Sequence, residues 1–184
     1  MNPKKILLSV VFVFILITTI TAQVNKVVIQ ASGLTCSMCS NAINKSLKTV
    51  SFIKDIQPNL KESTFDITIK PGADVDFNLL KKKVEDAGFF VAKMDAYLLM
   101  NQVSVQSDAH VVYQNMILHF LNVPNKQLDG LTRLQIMNKG FVDAKTYKKN
   151  AKLSTLECYK TGKLSDCCKP YTTGQTLSLY HVTF

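Results

Sequence analysis

The sequence predicts an α+β chain, with a split β-α-β-β-α-β unit over residues 23–97 and a β-rich stretch over 98–184. Three observations predict it. Two segments with apolar residues every three to four positions alternate with β-branched runs; Pro-Asn and Pro-Gly pairs punctuate them; and beyond Tyr97 no long helical period occurs.

The elements follow in order. Val24–Ser32 is β-branched with partial alternation and predicts a strand, after which Gly33–Cys36 is a loop. Met38, Ala42, Ile43, Leu47 and Val50 fall at helical spacing, with Lys45 and Lys48 on the charged face. Ser51–Gln57 predicts a second strand closed by Pro58-Asn59. In Ser63–Lys70, Phe65, Ile67 and Ile69 alternate with polar residues, which predicts a half-buried third strand ended by Pro71-Gly72. Asp74 or Asp76 is placed to cap a second helix whose apolar face is Phe77, Leu80, Val84 and Ala87, with Gly88 just past its end. Phe89–Met94 returns as a fourth strand. This order is that of the ferredoxin-like unit, one antiparallel sheet with two helices on one face.

In the second half, His110–Phe120, Leu131–Met137, Phe141–Tyr147 and Thr176–Phe184 are strand-prone. Pro124-Asn125, Asp129-Gly130, Lys139-Gly140, Thr161-Gly162 and Thr173-Gly174 separate them. The pattern predicts a small all-β second domain over 98–184, an OB-like Greek-key barrel.

Composition narrows the function classes. The chain has 184 residues, 47% hydrophobic and 19% charged, which excludes a disordered or collagen-like protein. Residues 1–22 have the order of a secretory signal peptide: Lys4 and Lys5, an apolar run from Ile6 to Ile20, then Thr21 and Ala22. Cleavage after Ala22 is expected, with an uncleaved anchor as the alternative; the apolar run is shorter than a spanning helix wants. The remaining chain is expected outside the cytoplasm, in a bacterial periplasm, without stable membrane insertion. The formal charge is +9, from 22 basic and 13 acidic residues; without Lys4 and Lys5 it is +7. Such a charge favours anionic surfaces or acidic partners. Nucleic acid is not expected, because the lysines are scattered and no arginine cluster is interleaved with aromatics. There is no tryptophan, and the five cysteines leave at least one without an intramolecular partner.

The informative segment is Gly33-Leu34-Thr35-Cys36-Ser37-Met38-Cys39, between the first strand and first helix. A thiolate is a metal ligand and a thiol is not, so such a site needs its cysteine pKa lowered. The unpaired N–H groups at a helix start do this. Two thiolates with no third Cys, His or Asp nearby cannot complete a tetrahedral zinc site. They suit a soft ion of low coordination number, Cu(I) first, with Hg(II), Ag(I) or a Zn(II) shared between molecules behind it.

This loop resembles the Gly-Met-Thr-Cys-x-x-Cys motif of heavy-metal-associated domains, found in copper chaperones, copper-transporting ATPases and periplasmic mercury-binding proteins. The resemblance covers residues 24–95 and extends to Ile43, Leu47 and the segment Val84-Glu85-Asp86-Ala87-Gly88-Phe89. It implies that Cys36 and Cys39 are the metal ligands, that Leu34 replaces a buried Met plug, and that Phe89 packs near the loop. A metal donor or acceptor protein is the implied partner, with a transient dimer through a shared ion. The alternative for the cysteine pair is a redox dithiol or a stabilising disulfide, though the flanking Trp and Pro of thioredoxin-type sites are missing. Met38 is read as packing rather than as a ligand.

Cys158, Cys167 and Cys168 support either a disulfide from Cys158 to one of the other two or a second soft-metal site that receives the ion or holds it jointly. His110, His119 and His181 lie in apolar strand-like runs and read as structural. Lys81-Lys82-Lys83 is either a solvated helix face or a docking patch for an acidic partner. No Ser-His-Asp order, phosphate loop or HExxH element occurs, so the chain is expected to bind rather than catalyse. A further alternative is a binding or scaffold protein whose β half recognises a partner.

Overall fold

A computed structural model describes residues 23–34, 36–171 and 177–184. The expected signal peptide at 1–22, Thr35 of the cysteine loop and the Thr173-Gly174 turn lie outside the described residues. Within the described residues no helix is long and apolar enough to cross a membrane.

The first half has the predicted order: β1 (Val24–Ser32), α1 (Ser37–Leu47), β2 (Ile53–Asn59), β3 (Thr64–Ile69), α2 (Phe77–Asp86) and β4 (Phe90–Val105). Its strands lie as β2-β3-β1-β4, all antiparallel. The alternation works as read: Val27, Ile29, Phe65, Ile67, Met94 and Ala96 face one way and are covered by Ile43 and Leu47 of α1 and by Phe77, Leu80 and Val84 of α2. The opposite face carries polar groups such as the Lys26–Asp66 pair. Asp76, not Asp74, caps α2, accepting from the N–H groups of Asn78 and Leu79. Pro58 sits within β2 rather than ending it; β2 is an edge strand, where a missing N–H costs no ladder bond. Met38 and Ala42 are solvent-exposed, so α1 buries a narrower face than its spacing predicts.

The second half corrects the expected architecture. It adds β5 (His110–Tyr113), β6 (Met116–Phe120), β7 (Lys126–Ile136), short helices α3 (Ala144–Asn150) and α4 (Glu157–Thr161), a 3-10 turn (Asp166–Tyr171) and β8 (Ser178–Thr183). The boundary expected at 97/98 falls inside β4, a sixteen-residue strand shared by both halves. Among the described residues eight strands form one sheet, β2-β3-β1-β4-β7-β8-β6-β5, in which β6 and β8 pair in parallel. The half is not all-β either. Phe141–Tyr147, read as a strand, enters α3, because Asp143 accepts from the N–H groups of Lys145 and Thr146 and starts a helix there. Asp129-Gly130, read as a turn, lies within β7 opposite an irregularity of β4.

One core spans both halves. Met116, Leu118, Phe120, Leu134, Tyr180 and Val182 continue the buried face beneath α2. The Tyr180 ring meets Phe77 edge-on, and its hydroxyl lies 3.0 Å from Asp76 and 3.1 Å from the Asn78 amide. The sheet also curls. A flat sheet would put β5 four strand spacings, about 19 Å, from β4. Yet the Tyr113 hydroxyl donates to the carbonyls of Gln23 and Leu99, both at 2.9 Å. Strands β4-β7-β8-β6-β5 therefore wrap back on themselves, although among the described residues no ladder joins β5 to β4.

Candidate metal centre

The cysteine loop is built by the end of β1 and the start of α1. Gly33 has φ of +77°, a left-handed turn that leads the chain off the strand. Cys36 is the N-cap of α1 in extended conformation, and its sulfur accepts from the Cys39 N–H at 3.2 Å. That N–H is one of the unpaired donors of the helix start, a position that favours negative charge on a reduced sulfur. Cys39 lies one turn on. The two sulfurs meet and are joined as a disulfide, with Cα atoms 5.3 Å apart. Cys36 is exposed and Cys39 half-buried, so the pair opens to solvent.

The surroundings of the pair are mixed, with Ser37 beside the apolar Leu34 and Leu60. Leu34 is half-buried and packs against the core, as expected of a plug. Leu34, Ser37 and the exposed Leu60 line the shallow hollow beside Cys36. Leu60 carried no sequence signal, since the β2–β3 turn reaches the loop only through the fold. Met38 is 82% exposed at the lip of the loop, so it does not pack in the core. Phe89 is half-buried against the core. The lysine run is engaged on its own helix: Lys81 pairs with Glu85 and Lys82 with Asp86. That favours the solvated-face reading of Lys81 and Lys82.

The later cysteines and the three histidines, separated in the sequence, come together. His110, His119 and His181 are register partners on adjacent strands β5, β6 and β8. They form a row on the face opposite α1 and α2. Cys158 of α4 and Cys167 and Cys168 of the 3-10 turn cover the row. Donor atoms of His110, Cys158, Cys167 and Cys168 lie within 4.8 Å of one another, as do those of His119, Cys158 and His181. All three later cysteines are free thiols. The two cysteine groups belong to different strands of the sheet, with β4 and β7 between β1 and β8.

Burial sets the charge in this cluster. It pushes His119 down to about 4, with help from His110 and against the Asp108 carboxylate 3.1 Å away. Burial and then His119 push His181 down to about 3. His110 is lowered by burial as well. Burial raises the thiol pKa of Cys158 and Cys168. At Cys167 the burial effect is outweighed by hydrogen bonds, first from Ser165 at 3.1 Å, and its pKa is lowered.

The heavy-metal-associated domain family matches residues 28–90. A curated relative, "Probable copper-transporting ATPase HMA5" of Arabidopsis thaliana, is 29% identical over 84 residues, which are 46% of this chain and 8% of that protein. The chain thus matches a small part of that relative's length. Among solved structures, "CopZ metallochaperone" is 19% identical, covering 36% of this chain and 98% of that one with a TM-score of 0.34. The yeast copper transporter domain CCC2A is 28% identical, covering 35% and 88% with a TM-score of 0.33. The cysteine loop, the strand order and this match agree, and residues 28–90 are a heavy-metal-associated domain.

Proposed function

We propose that the chain is an extracytoplasmic soft-metal carrier that binds one Cu(I) between the thiolates of Cys36 and Cys39 and hands it to a partner protein. The observation that carries the reading is the convergence of two solvent-facing sulfurs on one point at the N-terminus of α1, inside a heavy-metal-associated domain. The relative named as a copper-transporting ATPase supports copper as the cargo. The leader-like order of residues 1–22 supports export.

The disulfide must first be reduced: two external thiols, or one dithiol, are oxidised to a disulfide as Cys36 and Cys39 become thiols. Cu(I) then binds both sulfurs as thiolates, and the two thiol protons pass to solvent. In transfer, a partner thiolate bonds to the ion before one Cys–Cu bond breaks, so copper stays Cu(I). Exposure of Cys36 and the low rim of Leu34, Leu60 and Met38 leave room for that third sulfur. The second half extends the core rather than standing alone. Its wrapped strands support the OB-like reading, with β4 shared between the two units.

Competition of the reduced chain against a Cu(I) chelator tests the proposal. Tight uptake of one ion is expected, lost in the Cys36→Ser/Cys39→Ser variant. Unchanged stoichiometry and affinity in that variant would overturn it. The disulfide in the structure favours a second reading, a thiol–disulfide oxidoreductase. Rapid reduction of a test disulfide by the reduced chain would support that reading, and its absence would remove it.

A further inference from the structure

We propose a second metal centre: His110, Cys158, Cys167 and Cys168 form a closed tetrahedral Cys3His site for a thiophilic divalent cation of the Zn(II) class. Its role is to staple the segment between β7 and β8 onto the outer face of the sheet.

The geometry carries the assignment. A tetrahedral ion with 2.3 Å sulfur bonds sets its ligands about 3.8 Å apart, slightly less where one ligand is nitrogen. The Cys158 sulfur is 3.7 Å from His110 Nε2, the Cys167 and Cys168 sulfurs are 3.6 Å apart, and all four donors lie within 4.8 Å. The four come from β5 and, about fifty residues on, the neighbouring α4 and 3-10 turn. Cys158 and Cys168 are buried, and Cys167 and His110 half-buried, which gives the site four protein ligands in place of the open position a carrier needs.

The overlapping set of His119, Cys158 and His181 fits an ion less well. The facing Nδ1 atoms of His119 and His181 are 2.8 Å apart, a hydrogen-bond separation. Two nitrogen ligands on a tetrahedral ion sit about 3.3 Å apart. This pair instead holds the site from behind. His181 Nε2 donates to the Cys158 carbonyl at 3.1 Å, and the His119 ring stacks on His110 with centroids 4.3 Å apart. Such outer contacts orient ligating groups.

The covering segment needs a staple. Between β7 and β8 the described chain holds only a seven-residue helix, a five-residue helix and a 3-10 turn. Its packing is divided between two small clusters, one of Ile117, Cys158, Cys168, Leu177 and Leu179 and one around Val142 and Tyr159. Long connections with so little structure of their own are uncommon in compact domains, and a structural metal supplies folding energy outright.

The test uses the full chain, reduced, with Cys36→Ser and Cys39→Ser so that the first loop contributes nothing. Co(II) is titrated as the spectroscopic probe and then displaced by Zn(II). One equivalent of Co(II) with the visible bands of a tetrahedral thiolate site is expected. Cys167→Ser and His110→Gln, whose side chains are only half-buried, should each weaken uptake at least tenfold while far-ultraviolet dichroism stays native. Absence of saturable Co(II) uptake, uptake indifferent to both substitutions, or a thiol count placing Cys158 in a disulfide would each overturn the proposal. Because the first pair is removed, none of these results bears on the carrier reading.

Discussion

At the scale of single residues, the sequence displays some chemistry plainly and hides the rest. Cys36 and Cys39 are three apart, so local helix geometry alone brings their sulfurs together, and the pair was legible. His110, His119 and His181 were not. Each sits in an apolar run, and only the pairing of β5 with β6 and of β6 with β8 aligns them in one row. Gly33 matters for its backbone: a Cβ there meets nothing within 4 Å, yet φ is +77°. Gly33→Ala should therefore lower stability by about 1 kcal/mol through backbone strain alone, read from the urea midpoint. A larger loss would show a packing role the open space does not support. The buried imidazoles make a pH prediction for the reduced, metal-free chain in chelator. His119 and His181 titrate at about 4 and about 3 when folded, against 6.5 unfolded. The groups facing them are Asp108, His110, Cys158 and Tyr159. The unfolded chain takes up protons that the folded chain refuses, so this stability is complete above about pH 6.5 and is lost as pH falls toward 4 and 3. The cost by pH 5 is on the order of 2 kcal/mol for each ring. Urea midpoints measured from pH 7 to 5 should fall accordingly; a flat profile would contradict the neutral, buried state.

At the scale of elements, the first half was readable because each strand alternates cleanly and each helix carries a cap. The second half was harder. Its β6 is buried on both faces, so no alternation marks which side faces the main core. Its helices are too short to show a period. The tie between halves is β8 lying beneath α2, where the Tyr180 hydroxyl meets Asp76 and Asn78. Tyr180→Phe leaves the ring contact with Phe77 and removes these hydrogen bonds, at a cost of about 1–3 kcal/mol for the partners left behind. Asp76→Ala removes the α2 cap as well as the tyrosine's acceptor, for about 1–2 kcal/mol. The double variant should cost less than the sum, because both changes act on one contact. Full additivity in urea unfolding would place Tyr180 and Asp76 in separate environments.

At the scale of the whole molecule, β4 runs unbroken through the point near Tyr97 where composition divides the chain. A change in local pattern marks a change in neighbours as readily as a domain boundary, since β4 pairs with β1 and β7 and contributes to one buried cluster along its length. The chain should unfold in a single transition, with tyrosine signals from the second half coinciding with helix dichroism, which comes mostly from α1 and α2. Two separated midpoints would mean that the shared core does not couple the halves. The same architecture has an exposed sulfur pair at the start of α1 and a covered thiol–imidazole cluster against β5, β6 and β8.

The carrier reading meets its most direct test in X-ray absorption at the copper edge, on the reduced full chain given one equivalent of Cu(I). The proposed site predicts a first shell of sulfur alone, because no imidazole joins Cys36 and Cys39 in that loop. Nitrogen in the shell would put the ion in the histidine-bearing cluster instead and contradict the assignment of the copper cargo to the heavy-metal-associated domain.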